Sequence, residues 1–386
     1  MPFPTGFLWG ASTAAHQIEG NNTTSDWWER EFGRLPGGRP VEHVSGDAAD
    51  SYHRYPEDMK LLADAGLDTY RFSLEWSRIE PEPGFISRAQ LDHYRRMVDT
   101  ARDLGLTPSV TLHHFTNPAW FGRDITWEDP RAVDYFARFV QTALPVLADV
   151  ELVCTINEPN MIATIMAPSN SEWSGIGVPP GDGRITEHVT SAHQLAVAIL
   201  RGEGKKAGWS IATQAFIPEP GFEAEADDWA STRETVFLDA SSGDDWVGIQ
   251  AYTRTRIGEG GALPNPEGAE ETLTGWEFYP RALEYGIRRS WDRNGVPIYV
   301  TENGIATSDD TRRIAYTQGA LEGVSDALDD GVDVRGYLHW SLLDNYEWGS
   351  YTPTFGLIGW DPQTFERTPR PSLAWLGEVA RRNGLE

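Results

Sequence analysis

Short apolar or β-branched runs alternate with longer amphipathic stretches along this whole chain, and that alternation limits its fold more than any other feature. It is the pattern of parallel strands joined by helical crossovers. Eight strands can be placed, near Phe7 to Ala11, Asp68 to Leu74, Thr107 to His113, Leu152 to Asn157, Ser210 to Gln214, Asp245 to Ala251, Ile298 to Thr301 and Gly336 to Ser341. Between them apolar residues recur at helical spacing. In Pro130 to Val150, the residues Val133, Phe136, Ala137, Val140, Leu144 and Leu147 would cover one face of a sheet, with Pro130 in the first helical turn. Ser191 to Leu200, Ala282 to Trp291, Ile314 to Leu328 and Leu373 to Val379 follow the same pattern. The richest turn stretches, Pro36-Gly37-Gly38 and Pro179-Pro180-Gly181-Asp182-Gly183, are loops on a continuous unit rather than linkers. Length alone would allow two or three domains. Eight strands alternating with helices close most naturally into a barrel, so the expected fold is α/β, a single (β/α)8 TIM barrel with residues 1–386 as one domain.

The formal net charge is −26. A surface so acidic repels nucleic acid, anionic membranes and phosphorylated ligands, which leaves a neutral small molecule as the best-suited partner. The sole cysteine, Cys154, lies in the apolar run Leu152-Val153-Cys154 and is expected to be buried packing. The amino terminus, Met1-Pro2-Phe3-Pro4, shows neither a basic segment nor a long apolar one, so no signal peptide or membrane span is expected and the cytoplasm is the default location. Oligomeric state is not encoded in any feature of the sequence.

In barrels of this kind, polar residues at the carboxyl ends of strands face the mouth where chemistry occurs. Two such ends carry glutamates: Asn157-Glu158-Pro159 after the fourth strand and Thr301-Glu302-Asn303-Gly304 after the seventh. One glutamate alone is more often a helix cap or an arginine's partner. A pair on separate strands of one rigid mouth is what glycosidic cleavage needs, with one carboxylic acid to protonate the leaving oxygen and one carboxylate to attack. The sixteen tryptophans add to this. Several fall in predicted loops, namely Trp27-Trp28, Trp120, Trp127, Trp340, Trp348 and Trp360, and sugar rings stack their C–H faces on such surfaces. Gln17, His114, Asn157 and Glu347 are polar neighbours suited to hydroxyls. His113 and His114 are adjacent on a strand end, so only one can reach the mouth. The histidines are scattered and there is no HExxH, CxxC, GxGxxG or GxxxxGK[ST] motif, so neither a metal nor a cofactor is expected.

Taken in order, these motifs resemble glycoside hydrolase family 1, the β-glucosidase and β-galactosidase group. Phe7-Leu8-Trp9-Gly10-Ala11-Ser12 and His16-Gln17-Ile18-Glu19-Gly20 are similar to the family's opening strand and loop, and Tyr70-Arg71-Phe72-Ser73 with Glu75-Trp76-Ser77-Arg78-Ile79 to its second. Thr111-Leu112-His113-His114-Phe115, Thr155-Ile156-Asn157-Glu158-Pro159, Val300-Thr301-Glu302-Asn303-Gly304 and Trp340-Ser341-Leu342-Leu343-Asp344-Asn345-Tyr346-Glu347-Trp348 follow, then Phe355-Gly356-Leu357. The resemblance implies a retaining exo-β-glycosidase, with Glu158 as acid/base and Glu302 as nucleophile. It implies that Arg71 and Tyr252 steady the nucleophile and that Asn157 contacts the hydroxyl beside the anomeric carbon. Gln17, His114, Glu347 and Trp348 would bind the remaining hydroxyls, with Trp340 in the pocket floor. The partner is then a small glycoside or oligosaccharide. Arg71 should favour ionised Glu302 while Glu158 keeps a proton, and the two carboxyls should stand about 5 to 5.5 Å apart.

The resemblance also brings departures. Gln250-Ala251-Tyr252-Thr253 stands where the family usually has Asn-Tyr-Tyr-Thr, and Phe115 stands where a tryptophan is common. The turn after Trp348 is one residue short, the stretch from Phe216 to Asp245 is much shorter, and Met166-Ala167-Pro168-Ser169 lacks a Gly-rich continuation. These bear on the leaving group more than on the sugar. A 6-phospho-β-glycosidase is the nearest rival, and the Glu347 carboxylate would repel its substrate's dianion. A noncatalytic carbohydrate-binding barrel is the rival from another class.

Overall fold

The computed structural model describes residues 2–35, 41–171 and 175–385. Eight strands, β1 (Leu8–Ser12), β2 (Thr69–Ser73), β3 (Thr107–His113), β4 (Leu152–Asn157), β5 (Lys206–Ala212), β6 (Val247–Gln250), β7 (Ile298–Glu302) and β8 (Val334–Trp340), form a closed barrel. Every neighbouring pair is parallel, and β1 closes the ring by pairing with both β2 and β8. The helices α1 (Ser51–Asp64), α2 (Arg88–Asp103), α3 (Arg131–Ala143), α4 (Gly183–Gly202), α5 (Val236–Ala240), α6 (Ala282–Asn294), α7 (Asp310–Asp329) and α8 (Pro371–Arg382) follow the strands in turn. Local chemistry sets their ends. Asp182 caps α4 by accepting from the backbone N–H groups of Arg184 and Ile185 at 3.0 and 3.1 Å. Gly295 ends α6 in the left-handed conformation at φ 62°.

The inside of the barrel grades from apolar to polar. At the bottom, Leu152, Cys154 and Trp246 pack with Leu8 and Tyr299. Above them, Thr301 donates to the Ser210 hydroxyl at 3.0 Å, and Ser12 donates to the Thr301 carbonyl at 2.6 Å. A Cβ on Gly248 would lie 2.4 Å from Ser210 Oγ and 2.7 Å from Thr301 Oγ1, so only glycine leaves room for this hydroxyl layer. The fully buried Arg71 lies beyond it, toward the carboxyl ends of the strands. Cys154 is fully buried, as its apolar context predicts.

Register shifts occur on both glutamate-bearing strands near their carboxyl ends, between Cys154 and Asn157 on β4 and between Val300 and Glu302 on β7. Such irregularities re-aim side chains that strict alternation would turn away.

Four boundaries differ from the sequence reading. The strand placed at Ser210 begins at Lys206. Gly208 looks like a breaker, but its missing side chain serves close packing, since a Cβ there would meet the Trp246 carbonyl at 2.0 Å. The helix placed through to Val150 ends at Ala143, where Pro145 withholds a backbone donor and Val146 and Leu147 form tight turns back to Ala143 and Leu144. Pro130 sits just before that helix rather than in its first turn, and Gly183 already belongs to α4. The stretch Pro36-Gly37-Gly38 lies outside the described residues. Trp120 and Trp127, placed among the loop tryptophans, are core: they are 3% and 6% exposed and pack with Phe121, Tyr135 and Phe136.

The fold closes with 58 acidic and 32 basic side chains on one chain. Like-charge repulsion of this size opposes compaction and is screened by salt. The melting temperature should therefore rise by several degrees between about 0.05 and 1 M NaCl. Scanning calorimetry showing no rise would contradict a repulsion-limited stability.

Candidate active site

The strand ends bring the chemistry-bearing residues together at the carboxyl face. Glu302 ends β7, and its two oxygens are both held: Arg71 Nη1 from β2 donates to Oε1 at 2.8 Å, and the Tyr252 hydroxyl, two residues past β6, donates to Oε2 at 2.5 Å. Arg71 also donates through Nη2 to Asn157 Oδ1 at 2.5 Å, and Gln250 Nε2 donates to the same oxygen at 2.9 Å. Asn157 Nδ2 then donates to His114 Nε2 at 3.2 Å. His113 turns the other way, into the helix layer against Trp127 and Phe136, where it bonds Asn117. The mouth-facing histidine is therefore His114.

Glu158 occupies the turn between β4 and a short helix opened by Pro159. Its backbone is left-handed, φ 44° and ψ 61°, and the N–H is anchored to the Ser210 carbonyl at 2.7 Å. A non-glycine residue in this region is strained by about 1 to 3 kcal/mol, a cost that the surrounding packing must sustain.

The opposite wall comes from the two ends of the chain. Gln17, in a short helix after β1, donates through Nε2 to Asn345 Oδ1, the Tyr346 carbonyl and Glu347 Oε2 at 3.0 to 3.1 Å. His114 stacks between Trp340 and Trp348 at 5.9 and 6.0 Å, and Phe115 meets Trp348 edge-on at 5.0 Å. Trp27 packs T-shaped on Trp348 at 4.7 Å. Gln17 Oε1, His114 Nδ1 and Gln250 Oε1, all at this cleft, are buried polar atoms without a protein partner. Buried polar groups are ordinarily paired, so these three leave hydrogen-bonding capacity that a polar ligand in the cleft could use.

The carboxyls divide by environment. Burial, followed by the charge of Glu302, raises the pKa of Glu158 well above the ordinary carboxylate value, with Arg71 opposing and Glu347 adding to the rise. Burial also raises Glu302, but Arg71, Tyr252 and Gln250 pull against it. Glu158 is thus the member pushed further up, the direction expected of an acid beside an anion. Glu347 is pushed up to about 8 by burial and then by the charge of Glu302, with Gln17 and Trp340 as counteracting donors. His114 is held neutral by burial and the Arg71 cation. Among the described residues, no group of three or more His, Cys, Asp or Glu side chains is placed to hold a metal ion.

One aromatic at the mouth was not singled out from sequence. Trp276 follows the Gly275 turn, is 39% exposed, and lies 5.6 Å from Tyr252 and 6.4 Å from Phe355. An exposed tryptophan beside the ring that touches Glu302 belongs to the cleft rim. Its only sequence signal was a tryptophan directly after a glycine turn.

A folded-state pKa of about 8 for Glu347 has a stability consequence. Between the unfolded carboxyl value and 8 the folded chain holds a proton that the unfolded chain releases, so this group's contribution is greatest below about pH 4.5 and is lost as pH rises through 8. Glu347→Gln should match the parent near pH 5 and exceed it by roughly 1 to 3 kcal/mol near pH 9 in denaturant titrations. An advantage independent of pH would contradict the assignment.

Comparison with known proteins shows the family to which the chain belongs. The model of Glycosyl hydrolase family 1 matches residues 1–265 and 248–385. Thermostable beta-glucosidase B of Thermobispora bispora is 32% identical over 448 aligned positions, covering 100% of this chain and 92% of that protein. The bifunctional beta-D-glucosidase/beta-D-fucosidase of Bifidobacterium breve is 31% identical, covering 97% of each. Among solved structures, beta-glycosidase BGL167 superposes with a TM-score of 0.90 at 42% identity, covering 100% of this chain and 99% of that one. The chain belongs to glycosyl hydrolase family 1 and is a glycoside hydrolase.

Proposed function

We propose that the chain is a retaining exo-β-glycosidase acting on unphosphorylated β-glucosides, with tolerance for β-galactosides or β-fucosides. The observation that carries this reading is the unequal treatment of two glutamates at one mouth. Glu302 is oriented by Arg71 and Tyr252, whereas Glu158 is left to burial and to repulsion from Glu302. The names of the relatives, beta-glucosidase B and beta-D-glucosidase/beta-D-fucosidase, support the choice of sugar. Glu347 supports an unphosphorylated one, because that wall offers a carboxyl where a phosphate dianion would need a cation, and it repels the dianion whenever the carboxyl is ionised.

In this scheme Glu302 attacks the anomeric carbon while Glu158 gives its proton to the departing glycosidic oxygen, forming an ester between Glu302 and the sugar. Loss of the charge on Glu302 lets Glu158 ionise. It then takes a proton from water, whose oxygen attacks the anomeric carbon and releases the sugar with retained configuration. An alcohol in place of water would give transglycosylation. Asn157 serves the hydroxyl next to the anomeric carbon; Gln17, His114, Glu347 and Trp348 serve the others; Trp340 forms the floor and Trp276 the leaving-group side. Residues 1–386 act as one catalytic domain. No helix among the described residues is long and apolar enough to cross a membrane, which suits the cytoplasmic location proposed here.

Glu302→Ala should lower kcat for p-nitrophenyl β-glucoside by on the order of a thousandfold or more, about 4 kcal/mol of barrier. Glu158→Ala should slow alkyl glucosides far more than activated aryl glucosides, because only the former need protonation in the transition state. Near-normal turnover by the first variant, or equal slowing of both substrate types by the second, would refute the roles.

A further inference from the structure

Gln250 is one of the departures from the family pattern, and its environment is specific. It ends β6, is 1% exposed, and stands opposite Glu302 in the β6–β7 register. Paired residues on neighbouring parallel strands share a face, so Gln250 and Glu302 point together into the mouth. Its Nε2 donates to Asn157 Oδ1 at 2.9 Å, and the amide also contributes a hydrogen bond to Glu302. Its Oε1 is buried and finds no protein partner.

The consequence runs through two further side chains. Asn157 Oδ1 accepts from Arg71 and Gln250 at once. Arg71 can only donate, and the Gln250 NH2 is turned the same way by its hydrogen bond to the Glu302 carboxylate, so the Asn157 oxygen faces both and its NH2 group faces the opposite way. That NH2 donates to His114 Nε2. A neutral imidazole accepting at Nε2 carries its proton on Nδ1, and His114 Nδ1 is the buried ring atom with no protein partner. The cleft is therefore supplied with donors of fixed direction: the second N–H of Asn157 and Nδ1–H of His114.

We propose that Gln250 is a positioning residue that fixes the direction of the Asn157 amide and, through it, the Nδ1–H tautomer of His114. Recognition of the hydroxyl beside the anomeric carbon then depends on a side chain that need not touch the sugar. This rests on the function proposed above for its kinetic readout, but its structural readout does not. Arg71 alone offers one donor to Asn157 and must also hold Glu302. Gln250 supplies the second donor, which closes the amide's alternative orientation.

The test uses the full-length protein with Gln250→Met, which keeps length and removes both polar atoms, and Gln250→Glu, which keeps shape and replaces the donor with an acceptor; the second stands in should the first not fold. In 15N NMR of the ligand-free protein labelled at histidine, with His114 identified by loss of its signals in His114→Gln, the parent should show Nδ1 protonated and Nε2 bare. Both Gln250 variants should shift His114 toward mixed tautomers. In kinetics, both substrates lose the Gln250 bond to Glu302, but kcat/KM for p-nitrophenyl β-glucoside should fall roughly tenfold or more beyond the fall for the 2-deoxy-β-glucoside, so the preference for the 2-hydroxyl collapses. An unchanged His114 tautomer in the folded variants, or an equal fall for both substrates, overturns the proposal. If the parent hydrolyses neither glycoside, the proposed function fails, and the NMR result alone still decides the role of Gln250.

Discussion

A single buried guanidinium organises this site. Arg71 has no exposed surface, yet it brings a permanent charge to the top of the barrel. Such a charge is tolerated only when it is paired and its donors are used, and removing one partner of a buried pair costs about 3 to 5 kcal/mol. Arg71 satisfies that demand by binding Glu302 with one nitrogen and Asn157 with another. The strand ends of β2, β4 and β7 are thereby tied at one point, and the carboxyl proposed to attack carbon is oriented, with the cation opposing the rise in its pKa that burial causes. Stability and chemistry here place the same requirement on the same residue.

The remainder of the site follows from what that pairing leaves over. Burial, and after it the charge of Glu302 that Arg71 compensates, displaces both Glu158 and Glu347 toward their protonated forms. The acid proposed for the leaving group is then a by-product of crowding carboxyls in one poorly solvated cleft. Geometry has its own cost. The left-handed turn at Glu158 and the register shifts on β4 and β7 are local departures from ideal barrel structure, and they coincide with the residues that need aiming. Between them, the layer of small hydroxyls and glycine inside the barrel makes room for a polar top.

Much of this was legible in the chain. Strand and helix alternation gave the barrel because the hydrophobic period changes with each element, and every one of the eight strands lies where the pattern put it, within a few residues. Glu158 and Glu302 were recognisable because strand ends are where a barrel displays polar groups. What stayed hidden was contact between distant segments. The donation from Gln17 to Glu347 joins residues 330 apart, and no local pattern announces it. Trp120 and Trp127 resemble loop platforms in sequence but pack into the core, Trp120 from the short helix Ala119–Asp124 and Trp127 from the turn after it. Gly208 resembles a break and is a close-packing site. The coupling of Gln250 through Asn157 to His114 required hydrogen-bond directions, which only coordinates supply.

The central claim is that Glu302, steadied by Arg71 and Tyr252, forms a bond to the anomeric carbon of a sugar seated among Gln17, His114 and Glu347. The most direct measurement is mass spectrometry of the protein after incubation with 2,4-dinitrophenyl 2-deoxy-2-fluoro-β-glucoside, which slows both steps but leaves the ester long-lived. The account predicts one fluoroglucosyl group per chain, located by peptide mapping on Glu302, with release of a stoichiometric burst of dinitrophenol. Dinitrophenol release with no adduct, or an adduct on a residue other than Glu302, would contradict it.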